Sequence, residues 1–474
     1  MIRRQTLSAA NRFGLGARPG ELVAIDDPRA WLAAQLRPRT AALPALQDLP
    51  GSLDYLRREA AYQRERRQAR MQAPADAKPA QQGARSLYRQ AQAQELAARY
   101  AVAVASADGF AERLVQFWSN HFAVSVDKRA ATLYAAPMER EAIRPHCMGR
   151  FADLLLAVER HPAMLRYLDN TASIGPDSMA AQRAQRRAAR QDPAAPPRRP
   201  GLNENLAREI LELHTLGVDG GYTQADVTEL ARAITGWGVP APRELERDVA
   251  PAGAFVFHAA AHAAGSRQVL GRRYAEVGLA QGEAILTALA RHPATARHLS
   301  LKLARHFVRD DPPPALVQRM AAAWLRSDGD LPSVYRALID SDEAWSADAR
   351  KFKAPQDFVL SALRAGGDWP QAPAQQRTLL DMLARMGQPP FMPRSPAGYA
   401  DVAAEWNGPD ALWKRVQAAE ALSGLSAQAD PLALAATVFA GRLDPDTTSA
   451  LRRAESPRDG VALLLASPAF QWRA

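Results

Sequence analysis

The amino-acid sequence predicts an all-α fold, a large multi-helix domain built from packed helical hairpins with irregular Pro/Gly-rich segments and little or no sheet. Apolar residues recur at the three- and four-residue spacing of helices through most of the 474 residues. Strand patterns are nearly absent, and Phe255–His258 is the segment that best fits a short strand. A hydrophobic content of 47% with 23% charged residues is typical of a globular protein with a large core.

We expect the chain to form one elaborated helical domain. Two stretches rich in Ala, Pro, Gln or Arg contain too few apolar residues to pack against a core, and we predict that they are disordered. The domain spans residues 1–474, with an N-terminal arm (1–50), a helical core (86–365), a C-terminal helical lobe (366–474) and disordered inserts at 71–85 and 174–201.

Proline and glycine residues mark where several helices begin and end. Pro28 and Pro162 suit the first turn of a helix, and Gly217 follows the last apolar residue of another. Thr223 and Asp226 have the spacing of a capping box, which starts a helix that ends near residue 236. The other predicted helices, in chain order, are Pro28–Leu36, Leu53–Gln72, Ser86–Ala105, Phe110–Phe122, Phe151–Val158, Ala163–Leu168, Glu204–Leu216, Leu279–Arg291, Ala294–Val308, Pro314–Arg326, Leu331–Ile339, Ala354–Ala365, Gln375–Met386, Ala411–Leu422, Pro431–Ala440 and Asp459–Leu465.

The charge balance does not indicate a nucleic-acid-binding protein. The chain has 60 basic and 50 acidic residues, which gives a net charge of +10. Much of the excess lies in Arg57–Arg70 and Arg183–Arg199, and neither stretch matches a recognised nucleic-acid module. We interpret both stretches as solvated, arginine-biased segments.

Several common enzyme classes are disfavoured by motifs that the sequence lacks. It contains no G-x-S-x-G, no Walker A motif and no G-x-G-x-x-G after a predicted strand. Serine-triad hydrolases, P-loop enzymes and Rossmann dehydrogenases are therefore poor interpretations.

The sequence also bears on where the protein works. No apolar run approaches the ~18 residues that a membrane span needs. The first residues include Arg3 and Arg4 but no apolar stretch, so we expect no secretory signal. The single cysteine, Cys147, excludes an intrachain disulfide. We expect a cytoplasmic protein, with export alongside a partner as the alternative.

The densest polar chemistry lies in Asn203–Thr235, which begins with a predicted amphipathic helix. We predict that Glu204, Glu209 and His214 act in catalysis and that Arg208 binds substrate. Each residue also has a structural interpretation. Glu204 can cap the start of the helix, Arg208 can form surface ion pairs, and His214 can cap the end of the helix.

A second candidate cluster lies at the end of the predicted helix Phe110–Phe122. His121 falls on the apolar stripe of this helix, beside a tryptophan that offers a stacking face and an asparagine that offers an amide. We predict that His121 is catalytic and that Trp118 and Asn120 bind substrate. The alternatives are a histidine satisfied within the core and a zinc site in which His121 is joined by His214 and His262.

A basic stripe and an aromatic coil complete the candidate set. His298, Lys302 and His306 recur every four residues, with Arg305 on nearly the same face. Such a stripe can hold an anionic substrate, and we predict that Lys302 binds substrate, although the stripe can instead be solvated. The coil Gly387–Asn407 carries aromatic residues that can line a sugar or peptide groove or cover the core.

Several stretches of the chain together match one family. They are Arg12–Gly20, Phe117–Val124 (FWSNHFAV), Met164–Asn170 (MLRYLDN), Asn203–Gly217 (NENLAREILELHTLG), Tyr222–Trp237, His292–Pro312, Pro355–Ala365, Gly387–Tyr399 and the end of the chain. The chain thus resembles the bacterial proteins that carry domain of unknown function 1800. The resemblance implies a large helical protein, often encoded beside a family similar to alkaline phosphatases and sulfatases, and it implies no reaction. The sequence departs from the family's pattern after His262, where Ala263 replaces the usual Asp.

The resemblance also implies that two distant segments meet. In the family, Asp169-Asn170 and Asn203-Glu204 flank a variable insert, so we expect the insert to loop out and bring its two ends together. We then predict Asp169 and Glu204 as an acid/base pair, with Asn170 and Asn203 binding substrate. The same oxygen atoms can bind Ca²⁺ or Mg²⁺, and the group can also be a hydrogen-bonded corner.

Two hypotheses about function follow. The first is an acid/base hydrolase or lyase that acts on a polymer such as a polysaccharide through a carboxylate/amide/His pocket. The polymer is suggested by the gene neighbours of the family, which is an association. The second is a non-catalytic helical partner or scaffold for a phosphatase/sulfatase-like protein. Nucleic-acid binding is the weakest alternative.

Overall fold

The computed structural model describes residues 4–38, 43–72, 82–191, 201–245, 253–367, 369–426 and 429–473. Within these ranges the chain is an assembly of α-helices joined by short coils, so the predicted all-α fold is confirmed. The β-structure of the described residues consists of short antiparallel pairs of two strands each. No helix in these ranges is long and apolar enough to cross a membrane.

Residues 4–191 form the N-terminal arm and the first helices of the core. The helices of this first part are α1 (Arg4–Ser8), α2 (Glu21–Ala24), α3 (Pro28–Ala33), α4 (Pro44–Gln47), α5 (Ser52–Gln72), α6 (Gln82–Ala105), α7 (Gly109–His121), α8 (Ala135–Met138), α9 (Arg144–His146), α10 (Phe151–Glu159), α11 (Pro162–Tyr167) and α12 (Met179–Gln191).

The second part of the chain completes the core and forms the C-terminal lobe. Its helices are α13 (Asn205–Glu209), α14 (Gln224–Ala233), α15 (Pro242–Leu245), α16 (Leu279–Ala290), α17 (Pro293–Phe307), α18 (Pro314–Arg326), α19 (Leu331–Asp340), α20 (Pro355–Gly366), α21 (Pro373–Arg385), α22 (Pro409–Ser423), α23 (Pro431–Phe439), α24 (Pro445–Arg452) and α25 (Pro457–Ala466).

The strands are short and pair locally or with the C-terminus. β1 (Trp237–Gly238) pairs with β2 (Val256–Phe257), β3 (Arg267–Val269) with β4 (Arg272–Tyr274), and β5 (Lys351–Phe352) with β6 (Trp472–Arg473). The predicted strand near Phe255–His258 therefore corresponds to β2.

The predicted capping signals act where the sequence places them. Pro28 and Pro162 begin α3 and α11, because a proline at the first helical position loses no hydrogen bond. Thr223 and Asp226 form the predicted capping box at the start of α14. Asp27 caps α3 by accepting two backbone hydrogen bonds.

The second predicted insert is partly helical within the described ranges, whereas the sequence predicted disorder throughout it. Helix α12 occupies Met179–Gln191 within the second insert. Its composition explains this difference, since alanine and arginine are strong helix formers even when few apolar residues are present. Residues 73–81 and 192–200 lie outside the described ranges.

The central helix predicted for Glu204–Leu216 is interrupted. It begins as α13 and continues as a wider π-helical turn, Ile210–Thr215. The Leu216 amide donates to the Leu211 carbonyl, five residues earlier, and the Thr215 hydroxyl donates to the Ile210 carbonyl. A π-turn shifts the side chains that follow it around the helix axis. The direction of the His214 side chain therefore differs from the one that a regular α-helix would give it.

The two largest clusters of buried apolar residues in the described ranges form adjacent cores. The larger core includes Trp118 of α7, Phe151 of α10 and Trp324 of α18. The second core, built largely from α20 to α25, includes Phe358 and Phe470 and also takes in residues of α6. Helix α7 belongs to the first core and α20 to the second, so the contact between these helices lies where the cores meet.

Buried ion pairs cross between these two cores. Nη1 of Arg113 on α7 lies 2.7 Å from Oδ1 of Asp357 on α20, and Nε of Arg473 on β6 lies 3.4 Å from Oδ2 of the same carboxylate. Burial alone would raise the pKa of Asp357, but Arg113 and Arg473 hold this pKa well below its usual range. One carboxylate therefore joins α7, α20 and the C-terminal strand.

We predict that Asp357→Asn destabilises the protein by about 3–5 kcal/mol, because two buried guanidinium groups lose their counter-charge. Urea unfolding measures this change, with the exposed, ion-paired Asp410→Asn as control. The contribution of Asp357 is present above pH ~3.9 and is lost as the pH falls towards its lowered native pKa. The variant should therefore lose less stability than the wild type on acidification. Equal stability of the two variants would contradict the role of Asp357.

Candidate functional site

A cavity of about 350 Å³ opens where α7, α17, the start of α20 and the coil after α21 meet. Its walls combine basic, amide and acidic side chains with apolar ones. The polar lining residues are Arg99, Gln116, Ser119, Asn120, His121, Lys302, Arg305, His306, Gln356, Asp357, Gln388, Tyr399 and Asp401. A concave site of this size with convergent polar groups is the default location for a ligand.

Lys302 and His121 form a contact between α17 and α7. The Lys302 Nζ atom lies 2.9 Å from Nδ1 of His121, and Nε2 of His121 lies 3.2 Å from the His214 backbone oxygen. A carbonyl oxygen only accepts, so the hydrogen-bond network assigns the ring proton to Nε2 and leaves the Nδ1 lone pair facing Lys302. The π-turn after α13 supplies the carbonyl that holds this tautomer.

The electrostatics around Lys302 favour its neutral form more than water does. Burial lowers the pKa of Lys302 to about 8, with Asp401 opposing this shift and Arg305 adding to it. Burial, Lys302 and His214 lower the pKa of His121 well below its usual value, so this ring stays neutral. A primary amine that titrates near pH 8 can take or give a proton under ordinary conditions.

A second titratable side chain, His306, lies one turn further along α17. Nδ1 of His306 lies 2.6 Å from Oδ2 of Asp401, and Nε2 of His306 is buried without a hydrogen-bond partner among the residues described. Burial lowers the pKa of His306, although Asp401 opposes this effect. The aspartate holds the proton on Nδ1 and leaves a lone pair on Nε2, as in catalytic His–Asp pairs.

The two carboxylates of the cavity, Asp357 and Asp401, form ion pairs with basic side chains. Asp401 also faces Lys351, whose Nζ lies 3.4 Å from Oδ1, and Arg473 at 3.8 Å. Burial opposes ionisation of Asp401, yet His306, Lys351 and Arg473 together lower the pKa of this carboxyl far below its usual range. Asp357 is held in the same way by Arg113 and Arg473. Neither residue can supply a proton near neutral pH.

Asn120 attaches the coil over the cavity. Its Nδ2 donates to the Tyr399 carbonyl at 2.9 Å, and its Oδ1 accepts from the Tyr399 amide at 2.8 Å. A Cβ at Gly398, which has φ +81°, would stand 2.3 Å from the Asn120 backbone oxygen. The side chain predicted to bind substrate therefore shapes the cavity wall through its two bonds to backbone.

The structure thus brings Asn120, His121 and Lys302 together in one site, as parts of the cavity wall. Trp118 lies elsewhere, since it is fully buried and its Nε1 donates to the Tyr335 hydroxyl at 2.6 Å. An indole in the core is not available as a stacking face for a substrate. Trp118 packs behind the site and supports His121, whose ring it meets edge to face.

His214 is buried behind His121 and does not cap an exposed helix end. Its Nδ1 lies 2.8 Å from Oε1 of Glu159, and both side chains are fully buried. Glu209 is half-buried on a different face, and burial raises its pKa. Neither His214 nor Glu209 lines the cavity. The two residues predicted to be catalytic therefore do not share a site with Lys302.

The two ends of the second insert do meet. The Ser173 hydroxyl accepts from the Asn203 amide at 3.1 Å, which places residues 173 and 203 side by side. The predicted acid/base pair nevertheless has separate partners. Asp169 forms an ion pair with Lys128 at 2.6 Å, while Glu204 accepts hydrogen bonds from Gln224, Thr228 and Arg208.

The amides of this corner make structural hydrogen bonds. Asn170 is buried and donates to the backbone oxygens of Ile234 and Trp237. The Asn203 side chain accepts from the amide of Asn205, two residues on, at the start of α13. These contacts match the hydrogen-bonded-corner alternative for Asn170 and Asn203. Arg208 bonds to Glu204 and Gln224, as expected of the surface alternative.

The hypothesised metal sites lack a ligand set in the part of the chain that is described. No three His, Cys, Asp or Glu side chains there are grouped to hold an ion. His262 lies against the Thr235 carbonyl, while His121 and His214 engage Lys302 and Glu159. For the Ca²⁺ or Mg²⁺ alternative, Lys128 already neutralises Asp169.

A Ser–His–Glu grouping near α5 does not form a nucleophilic triad. Ser52 Oγ and Glu141 Oε2 both approach Nε2 of His161, at 3.0 and 3.1 Å. The opposite nitrogen, Nδ1, accepts from the Ala163 amide and caps α11. A triad needs the serine and the acid on different ring nitrogens, so this grouping is a structural corner.

Several residues of the cavity were not singled out from the sequence as site residues, among them Asp357, Asp401 and Gln116. These three are far apart in the chain and carry no local motif. The basic stripe did place His306 and Arg305 on one face with Lys302. The partner of His306 could not be inferred, because Asp401 lies in coil without periodicity.

The fold and the cavity define a class: a large helical protein with a basic cavity whose titratable side chains come from two helices and a coil. The chain belongs to the family described as protein of unknown function (DUF1800), which matches residues 8–472. No curated protein and no solved structure matches the chain.

We predict that the amine of Lys302 reacts with an acylating reagent with a midpoint near pH 8, because burial lowers its pKa. Mass spectrometry of digested protein measures the modified fraction at each pH. Ordinary lysines titrate near pH ~10.4, and the modified fraction of the partly exposed Lys414 is recorded alongside for comparison. A midpoint for Lys302 above pH ~10 would contradict the assignment.

We predict that Asn120→Ala speeds amide hydrogen exchange in residues 387–402 by about 10- to 30-fold, because two hydrogen bonds to Tyr399 are lost. The matched control is Asn11→Ala, which removes a similar donor and acceptor contact with backbone elsewhere. Unchanged exchange in 387–402 would show that the coil is held by other contacts.

Proposed function

We propose that this protein is an acid/base enzyme and that Lys302 is its proton-transfer group. The observation that supports this proposal is the Lys302 amine, which contacts His121 at 2.9 Å inside the cavity and has a pKa lowered to about 8 by burial. Perturbed lysines in clefts are frequent at catalytic sites. The His306–Asp401 pair supplies a second base within the same cavity.

We assign the reaction to cleavage of a polymer such as a polysaccharide, by elimination or hydrolysis. Amide side chains and aromatic coil at the cavity suit a hydroxyl-rich substrate. The site proposed here is the cavity and not the corner of Asp169 and Glu204, because those carboxylates engage Lys128 and Gln224 at the surface.

We predict that Lys302→Met and His306→Asn each lower kcat/KM by at least about 100-fold, because each removes one proton-transfer group. Release of chain ends from a panel of neutral and acidic polysaccharides measures activity. Circular dichroism and the unfolding midpoint confirm that each variant folds. Lys414→Met is the control, since Lys414 is a partly exposed lysine on α22 that pairs with Asp410 away from the cavity.

The alternative corner site makes a different prediction. If Asp169→Ala or Glu204→Ala abolished cleavage while Lys302→Met did not, the site would lie at the insert and not in the cavity. Activity retained by both Lys302→Met and His306→Asn would remove the cavity from the mechanism.

A second candidate function is that of a helical partner for a phosphatase/sulfatase-like protein. Helix α22 supports it, because Leu412, Trp413 and Val416 are exposed on this helix and Trp413 is 62% accessible. Exposed apolar clusters frequently mark protein contacts. Co-purification with the neighbouring protein tests this proposal, and Trp413→Ser should weaken the complex. Failure to associate at micromolar concentration would contradict it.

A further inference from the structure

Arg305 lies in the cavity as a cation without a carboxylate partner. It follows Lys302 by three residues on α17, and residues at this spacing are neighbours on one face of a helix. Its Nε donates to the Asp310 carbonyl at 2.9 Å, while its two terminal nitrogens contact no acceptor among the residues described. Two parallel N–H donors therefore remain for a ligand.

The other guanidinium groups at the cavity are already engaged. Nε of Arg99 approaches both oxygens of Glu139, at 2.9 and 2.8 Å, and its Nη1 donates to Gln356 at 3.1 Å. Arg113 and Arg473 share the Asp357 carboxylate. One unpaired guanidinium matches a single negative charge with two planar oxygens, which a carboxylate provides.

Two amide groups offer donors for hydroxyl oxygens. Oε1 of Gln116 accepts from the Gln356 side chain at 2.9 Å, and Oε1 of Gln388 accepts from the Gln356 amide at 2.8 Å. These bonds orient both amides, so the NH₂ groups of Gln116 and Gln388 are left without a protein acceptor in the described chain. Such fixed donors suit the hydroxyls of a sugar ring.

We infer that the cavity binds a sugar that carries a carboxylate, with the carboxylate on Arg305 and the adjacent carbon beside Lys302. This inference rests on the proposed acid/base function and specifies its substrate class. A dianionic phosphate would bring a second negative charge, whereas Arg305 is the one guanidinium among the described lining residues that lacks a carboxylate partner. A neutral sugar would leave the Arg305 guanidinium without a counter-charge.

The same arrangement selects β-elimination as the reaction. The neutral amine of Lys302 takes the proton from the carbon next to the carboxylate, and the C–H electron pair becomes a carbon–carbon double bond. The bond from the next carbon to its glycosidic oxygen breaks, and that oxygen takes the proton back from the Lys302 ammonium. Arg305 stabilises the charge that develops on the carboxylate. No water or further reagent is consumed.

The ionised carboxylates of the cavity disfavour hydrolysis. Glycoside hydrolysis requires one protonated carboxyl group near the scissile oxygen and a second carboxylate as base or nucleophile. Asp357 and Asp401 are each bound to two or more cationic or imidazole groups. Elimination needs a base and a cation, and Lys302 and Arg305 supply these two groups.

The first test measures protection of Lys302 from acylation at pH 8 by three monosaccharide probes: glucuronate, glucose and glucose 6-sulfate. We expect glucuronate to protect Lys302 and not Lys414, with little protection by the other two. Arg305→Gln should weaken protection about tenfold or more, because a charged hydrogen-bonded pair is lost. Arg305→Lys keeps the charge but not the planar pair of donors, and it should give protection between that of the wild type and that of Arg305→Gln. Equal protection by glucose or the sulfate would overturn the carboxylate assignment.

The second test identifies the products from polymers of glucuronate, galacturonate and mannuronate in ¹⁸O-labelled water. Elimination gives products that absorb in the ultraviolet and take up no label in the cleavage step, which is read before the reducing end exchanges its oxygen with water. Saturated products carrying ¹⁸O would overturn elimination while leaving the acid/base function intact. No cleavage of any of these polymers, together with no protection of Lys302 by glucuronate, would overturn the inference. Cleavage of neutral polysaccharides alone would overturn the substrate class and support the broader function.

Discussion

The buried carboxylate of Asp357, held between Arg113 and Arg473, is the interaction on which the rest of the molecule depends. It ties α7 and α20, which belong to different apolar cores, to the strand at the end of the chain. Removing three charges from water costs several kcal/mol each, and only close pairing offsets that cost. Arg473 extends the network to Asp401, so the same ion pairs that join the cores also position the wall of the cavity.

This network also determines the chemistry that the cavity can perform. Surrounding arginines and Lys351 keep both carboxylates ionised, whereas burial and Arg305 lower the pKa of Lys302 to about 8. The result is a cavity with bases, one unpaired guanidinium and no carboxylic acid among its described lining residues. That combination favours proton abstraction next to an anionic group over acid-assisted hydrolysis.

Much of the fold, and part of the site, could be predicted from the sequence, because the apolar residues of a packed helix recur every three or four positions. The 3.6-residue period placed His121 and Asn120 at the end of α7 and aligned Lys302, Arg305 and His306 on α17. Local composition was less reliable for the second insert, where Ala and Arg form α12 without an apolar stripe. The period also fails at the π-turn after α13, where a hydrogen-bond shift reorients His214.

The sequence by itself determined the helices, their caps and the presence of a basic face, since these depend on neighbours within four residues. Only the tertiary structure decided which polar groups meet. Asp401 reaches His306 across 95 residues, and Lys302 reaches His121 across 181. Asp169 and Glu204, the sharpest candidates by sequence, pair with Lys128 and Gln224 although the insert's ends do meet. A side chain bonds to the nearest satisfying partner in space, and that partner is set by how helices pack.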